Sequence, residues 1–145
     1  MINEFKELKN NNIITNKTEI YNNGKYIGEF KNGMKDGKGI MYYNNGDRYE
    51  GDWRNGKYEG KGIYYYNDGS RYEGDWRNDK REGKGIYYGK NGDRYEGDWR
   101  NNKFEGKGIY YWNNCDREMG DYINGLPKGK FAVLNVNGNV SSKYY

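Results

Sequence analysis

The sequence predicts an all-β fold, an elongated antiparallel meander of stacked β-hairpins, and three observations lead there. A 23-residue segment recurs along the chain: Tyr49-Glu50-Gly51-Asp52-Trp53-Arg54-Asn55 returns from Tyr72 and again from Tyr95. Within it, large residues alternate with charged ones, the period-two pattern of a half-buried strand. Turn formers are abundant, with 23 Gly and only 1 Pro, which favours hairpins over helices. Leu, Ile, Val and Phe supply only 20 of 145 residues, fewer than an aliphatic core ordinarily needs. The net charge is just +4 and there are 18 Tyr, 4 Trp and 4 Phe, which argues against disorder. An aromatic core therefore has to replace the aliphatic one.

The elements follow in chain order. Met1, Phe5 and Leu8 share one face of a short helix expected over the first residues. That helix either docks on the first hairpin or stays available to a partner. Thr18 to Lys25 resembles a half-unit turning at Asn23-Gly24, so residues 1–25 form an N-terminal cap. Five units are then expected, at 26–48, 49–71, 72–94, 95–117 and 118–140, with a tail over 141–145. In the unit starting at Tyr49, the first strand carries Tyr49, Gly51 and Trp53 on one face. A loop over Asn55-Gly56-Lys57-Tyr58-Glu59 leads to a second strand from about Gly60 to Tyr66. The links between units hold Asn45-Gly46, Asp68-Gly69 and Asn91-Gly92, which read as tight hairpin turns.

Glycine weakens a strand interior, so its recurrence at 28, 51, 74, 97 and 120 needs a reason. We expect aromatic rings from adjacent units to lie over this bare backbone in a continuous row. The repeat positions are Tyr49, Gly51, Trp53, Gly60 and Gly62, then Tyr72, Gly74, Trp76, Gly83 and Gly85, then Tyr95, Gly97, Trp99, Gly106 and Gly108. At the C-terminal end Phe131 stands where other units have Gly, with Pro127 in the preceding loop, so bulky residues close the row. Cys115 replaces the turn Gly of other units and should strain its turn.

Composition narrows function. The chain has no His, which removes the commonest general base and the commonest metal ligand. The single Cys115 has no partner for an internal disulfide, and no Cys/His cluster exists to hold zinc. No metal or other cofactor is expected. The start of the chain lacks the apolar core of a signal peptide and no apolar run is long enough to span a bilayer, so a soluble, intracellular protein is expected. The glycosylation patterns at Asn16 and Asn139 are then chance.

The segment Tyr49 to Tyr65, with its Tyr-Glu-Gly-Asp-Trp-Arg-Asn-Gly-Lys and Gly-Lys-Gly-Ile-Tyr-Tyr, resembles the MORN (membrane occupation and recognition nexus) repeat, over about four-fifths of the chain. The resemblance implies an elongated, twisted antiparallel sheet of successive hairpins. Such repeats occur in scaffolds of the cell cortex and cytoskeleton, in junctophilins that bridge membranes, and attached to lipid kinases and a histone methyltransferase. The module therefore serves lipid contact, protein contact or self-association. No segment of these residues is large enough for a kinase or methyltransferase domain. Glu118 and Met119 depart from the unit's usual Tyr and Glu, and Asp79 and Asn102 replace a loop Gly.

Two binding surfaces are candidates. Lys38, Lys61, Lys84 and Lys107 recur at one register and suggest a ladder for anionic lipid. Each unit is nearly neutral, however, with four basic and four acidic residues in 49–71 and in 95–117. Tyr65, Tyr66, Tyr88 and Trp112 are candidate outward aromatics for a helix or extended peptide. Nucleic acid needs more uncompensated positive charge, and no carboxylate stands outside the repeat as a catalytic pair would. The expected function is a non-enzymatic scaffold for protein partners or self-association at cortex, cytoskeleton or a peripheral membrane assembly, without a small-molecule substrate. Direct phospholipid or phosphoinositide binding is the alternative.

Overall fold

Two residues at positive φ are enough to reverse an antiparallel pair, and each unit provides them between its strands. Asn55 and Gly56 have φ of 49° and 80°, the mirror-image turn that matches strand twist. The computed structural model of the chain describes residues 14–145, as twelve strands in one open sheet whose spatial order is their sequence order. They are β1 (Ile14–Tyr21), β2 (Gly24–Lys31), β3 (Met34–Tyr43), β4 (Arg48–Arg54), β5 (Lys57–Tyr65) and β6 (Arg71–Arg77). The rest are β7 (Lys80–Tyr88), β8 (Arg94–Arg100), β9 (Lys103–Tyr111), β10 (Arg117–Ile123), β11 (Leu126–Leu134) and β12 (Val140–Tyr144). At about 4.8 Å per strand step the sheet is on the order of 50 Å long. The expected N-terminal helix falls outside the described residues, which contain no helix.

The two kinds of loop exchange the roles expected of them. The five-residue loop expected after Asn55 is a two-residue turn, and its strand starts at Lys57 rather than Gly60. The Asn45-Gly46 link is instead the wider loop. Gly46 alone has positive φ there, and Tyr43 N–H donates to Asp47 O at 2.9 Å to close it. Pro127 lies within β11 opposite Tyr122, not in a loop, and the chain ends on β12 at Val140–Tyr144.

The core is a row of rings over glycine. Tyr26, Tyr49, Tyr72 and Tyr95 are fully buried. Each lies over the Gly two residues on and over the Gly facing it on the next strand: Tyr49 covers Gly51 and Gly62, and Tyr72 covers Gly74 and Gly85. A Cβ at Gly62 or Gly85 would collide with the ring. The covering ring thus belongs to the same unit, not to the adjacent one. The neighbour supplies an indole edge: Trp53 packs T-shaped on Tyr26 at 5.1 Å, Trp76 on Tyr49 at 5.4 Å, and Trp99 on Tyr72 at 4.9 Å. Polar tips are satisfied at the same time. The Tyr49 hydroxyl donates to Asp52 O at 2.9 Å, and Trp76 Nε1–H donates to Gly62 O at 3.1 Å.

The last unit reaches the same packing by another route. Glu118 stands where Tyr would be, and Phe131 stands opposite where Gly would be. Its buried ring enters the space over Gly120 from the facing strand. Tyr122 meets it edge-on at 5.3 Å.

Burial holds the ionisation of Tyr26, Tyr49, Tyr72 and Tyr95 well above the ordinary tyrosine value of 10.0. Raised folded-state values mean that this stability is complete below about pH 10 and is lost as pH climbs through the folded values. The buried four should titrate only together with loss of the sheet's circular dichroism. One ordinary titration wave with the sheet signal intact would contradict the buried row. In the wide loops, Cys115 holds φ at 73° where Gly46, Gly69 and Gly92 hold 91°. Cys115→Gly should therefore raise stability by about 1 kcal/mol in denaturant titrations.

Candidate functional site

Since Tyr, Gly and Trp occupy one face, the intervening residues emerge on the other, where paired strands line them up in three rows across the sheet. The first row alternates Tyr and Arg: Tyr42, Arg48, Tyr65, Arg71, Tyr88, Arg94 and Tyr111. Each guanidinium lies against a ring, with Arg48 4.1 Å from the Tyr65 centroid and Arg71 3.7 Å from that of Tyr88. The second row alternates Ile and Glu, from Ile40 and Glu50 to Glu96 and Ile109, and then Met119. The third alternates Lys and Asp.

The third row carries the cationic candidates. Lys38, Lys61, Lys84 and Lys107 are exposed and form the ladder expected of them, but each reaches the Asp of the following unit. Lys61 Nζ is 2.5 Å from Asp75 Oδ1, Lys38 pairs with Asp52, Lys84 with Asp98, and Lys107 lies 3.5 Å from Asp121. The same carboxylates also accept a backbone N–H, from Lys61 to Asp52 at 3.0 Å and from Lys84 to Asp75 at 2.9 Å. That second bond crosses a bulge in each hairpin, where Gly60 and Gly83 have φ of 62° and 68°. Burial opposes ionisation of Asp75, yet the Lys61 side chain and the Lys84 amide outweigh it and hold the carboxyl below its ordinary value. The ladder is thus electrically neutral along its length and ties each unit to the next. A constant separation of 14 residues from Lys to Asp marks these pairs in the sequence, and it becomes readable once the register is known.

The aromatic candidates divide between the faces. Tyr65 and Tyr88 are on the polar face, half-buried against arginine. Tyr66 is on the core face, 4.7 Å from Tyr64, so it is not an outward aromatic. Trp112 lies in a wide loop, exposed and 4.5 Å from Tyr110. Two residues that the repeat pattern did not single out belong to the aromatic face: Lys35 and Arg81 occupy the position of Tyr58 and Phe104. Lys35 Nζ is 4.4 Å from the Tyr21 ring, Arg81 is 4.5 Å from Trp99, and burial lowers the Lys35 ammonium's ionisation.

A groove of about 1440 Å³ runs along the polar face from β3 to β10. Glycine backbone forms its floor, with Ile63, Ile86 and Ile109 beside Glu50, Glu73 and Glu96 along one side and the lysines along the other. Among the described residues no cluster of three or more His, Cys, Asp or Glu is placed to hold a metal ion.

The model of the MORN repeat matches residues 26–48, 49–71, 72–94 and 95–116, four consecutive units. Among solved structures, one similar chain is the SAS-4 (dCPAP) TCP domain of Drosophila melanogaster, solved in complex with a proline-rich motif of Ana2 (dSTIL). The two share 18% identity over 90% of each chain, with a TM-score of 0.46. No curated protein matches the sequence.

Because its folded-state value is depressed, Asp75 contributes stability above about pH 4 and loses it as pH falls further. Asp75→Asn should lower stability at neutral pH by about 1 kcal/mol, with the deficit shrinking in acid. A deficit that is equal at both pH values would show that the carboxylate's charge is not what links the units.

Proposed function

Because the chain belongs to the MORN repeat family, we propose that it works as a non-enzymatic scaffold that mediates protein–protein interaction or self-association through its grooved face. The setting is an intracellular one, at the cortex, the cytoskeleton or a membrane-associated assembly. The observation that carries this reading is the neutral Lys–Asp ladder. A lysine within 3.5 Å of a carboxylate presents little net charge to an anionic surface, and the gain of about 1 kcal/mol per cation near such a membrane is largely cancelled. A groove with isoleucine, glutamate and lysine on its sides suits a polypeptide instead, because it provides apolar contact, acceptors and donors together. The non-enzymatic reading draws on the carboxylates as well. Asp52, Asp75 and Asp98 are committed to the same paired bonds in successive units.

Co-sedimentation with neutral, phosphatidylserine and phosphoinositide vesicles tests the choice. At physiological salt the protein should be retained no better by anionic than by neutral vesicles. Selective retention on phosphoinositide vesicles, lost on replacing Lys61 and Lys84 by Gln, would instead establish direct phospholipid binding.

A further inference from the structure

The groove is periodic along its own axis, and the period selects a ligand backbone. Ile40, Ile63, Ile86 and Ile109 stand on alternate strands with Glu50, Glu73 and Glu96 between them, so each side-chain type recurs every two strands, about 9.6 Å apart. An extended β-strand repeats one side every 6.8 Å or so and matches neither set. An α-helix returns a residue to the same side after seven positions, about 10.5 Å. A polyproline II helix does so every three positions, about 9.3 Å. Over the three steps from Ile40 to Ile109 the helix overshoots by about 2.7 Å, whereas polyproline II falls short by only about 0.9 Å.

Charge fixes the sign of the ligand. The lysines of the groove already have aspartate partners, while the glutamates are held loosely. Glu50 is 3.8 Å from Arg48 and Glu96 is 3.5 Å from Arg94, with both glutamate side chains about half exposed at 49% and 47%. Glu73 has no ion pair among the described residues. The glutamates therefore remain open to cations brought by a ligand. A polyproline II backbone has no internal hydrogen bonds, so its carbonyls need donors. The ammonium groups of Lys61 and Lys84, with side chains 72% and 73% exposed, stand opposite the glutamates with protons to spare.

We propose that the groove binds a proline-rich segment in the polyproline II conformation with a Lys or Arg at every third residue, its prolines over the isoleucines and its cations at Glu50, Glu73 and Glu96. Eight strands give a track of about 34 Å, enough for about eleven residues. This rests on the reading of the groove as a protein-binding surface and names its ligand.

Calorimetry with the full chain tests it, using a peptide of four Pro-Pro-Lys repeats and two of equal length, four Pro-Pro-Glu and four Gly-Gly-Lys repeats. The Pro-Pro-Lys peptide should bind more tightly than either control by about tenfold, with affinity falling as salt rises. The triple variant E50Q/E73Q/E96Q should lose about tenfold while keeping its circular dichroism. Equal binding of the Gly-Gly-Lys peptide, or unchanged affinity in the triple variant, would overturn the proposal. So would binding only of a helical peptide with Lys every seventh residue, although this outcome would leave the groove a protein-binding surface. The protein-binding reading fails separately, through selective retention on phosphoinositide vesicles.

Discussion

A tyrosine ring packed over two glycines on paired strands is the contact on which the rest of this sheet depends. An open single sheet has no second layer to bury its apolar face, so each unit must cover its own backbone. The bare Gly51–Gly62 pair makes room for the Tyr49 ring, and the Trp76 edge from the next unit seals it. Aromatic pairs of this kind contribute about 0.5 to 1.5 kcal/mol each beyond area burial. Because each unit is sealed by its neighbour, stability is a matter of nearest-neighbour interfaces, as in other repeat arrays.

The departures from the repeat respect that contact. Where Tyr is replaced by Glu118, Phe131 replaces Gly across the strand and the ring comes from the other side. Where the tight turn loses its Gly, the new side chain makes a bond that Gly cannot. Asp79 keeps φ at 65° and its carboxylate accepts the Tyr58 N–H at 2.8 Å, and Asn102 does the same for Arg81 at 2.9 Å. Lys35 and Arg81 enter the aromatic face as cations over rings. The polar face follows from the same alternation, since fixing Tyr, Gly and Trp inward sends Glu, Asp, Lys and Ile outward in register.

Much of this was legible in the sequence because a 23-residue period with glycine at fixed strand positions permits few arrangements. The 23-residue repeat over 26–116, the inward face of Tyr49 and Trp53, and the place of Phe131 where other units have Gly could be read there. The choice of tight turn could not, because Asn-Gly occurs at both ends of a unit, at Asn55-Gly56 and at Asn45-Gly46. Only the bulge at Gly60 and the resulting register decide between them. The lysine ladder was visible as a pattern, but its neutralisation was not. Charge counts per unit do not say that Lys61 lies beside Asp75 of the next unit. Tyr66 was misplaced for a related reason, as three consecutive tyrosines hide which one faces the core.

The grooved face, with its lysines paired to aspartates, rests in its construction on the ring-over-glycine unit beneath it. Exchanging the ring between strands in a central unit tests that claim most directly, by comparing the unfolding free energies of Tyr72→Glu, Gly85→Phe and the double variant. The account expects each single change to be strongly destabilising, one by emptying the site and the other by overfilling it. It expects the double variant, which copies the Glu118 and Phe131 arrangement, to recover most of the loss. A double variant as unstable as the sum of the two singles would contradict it.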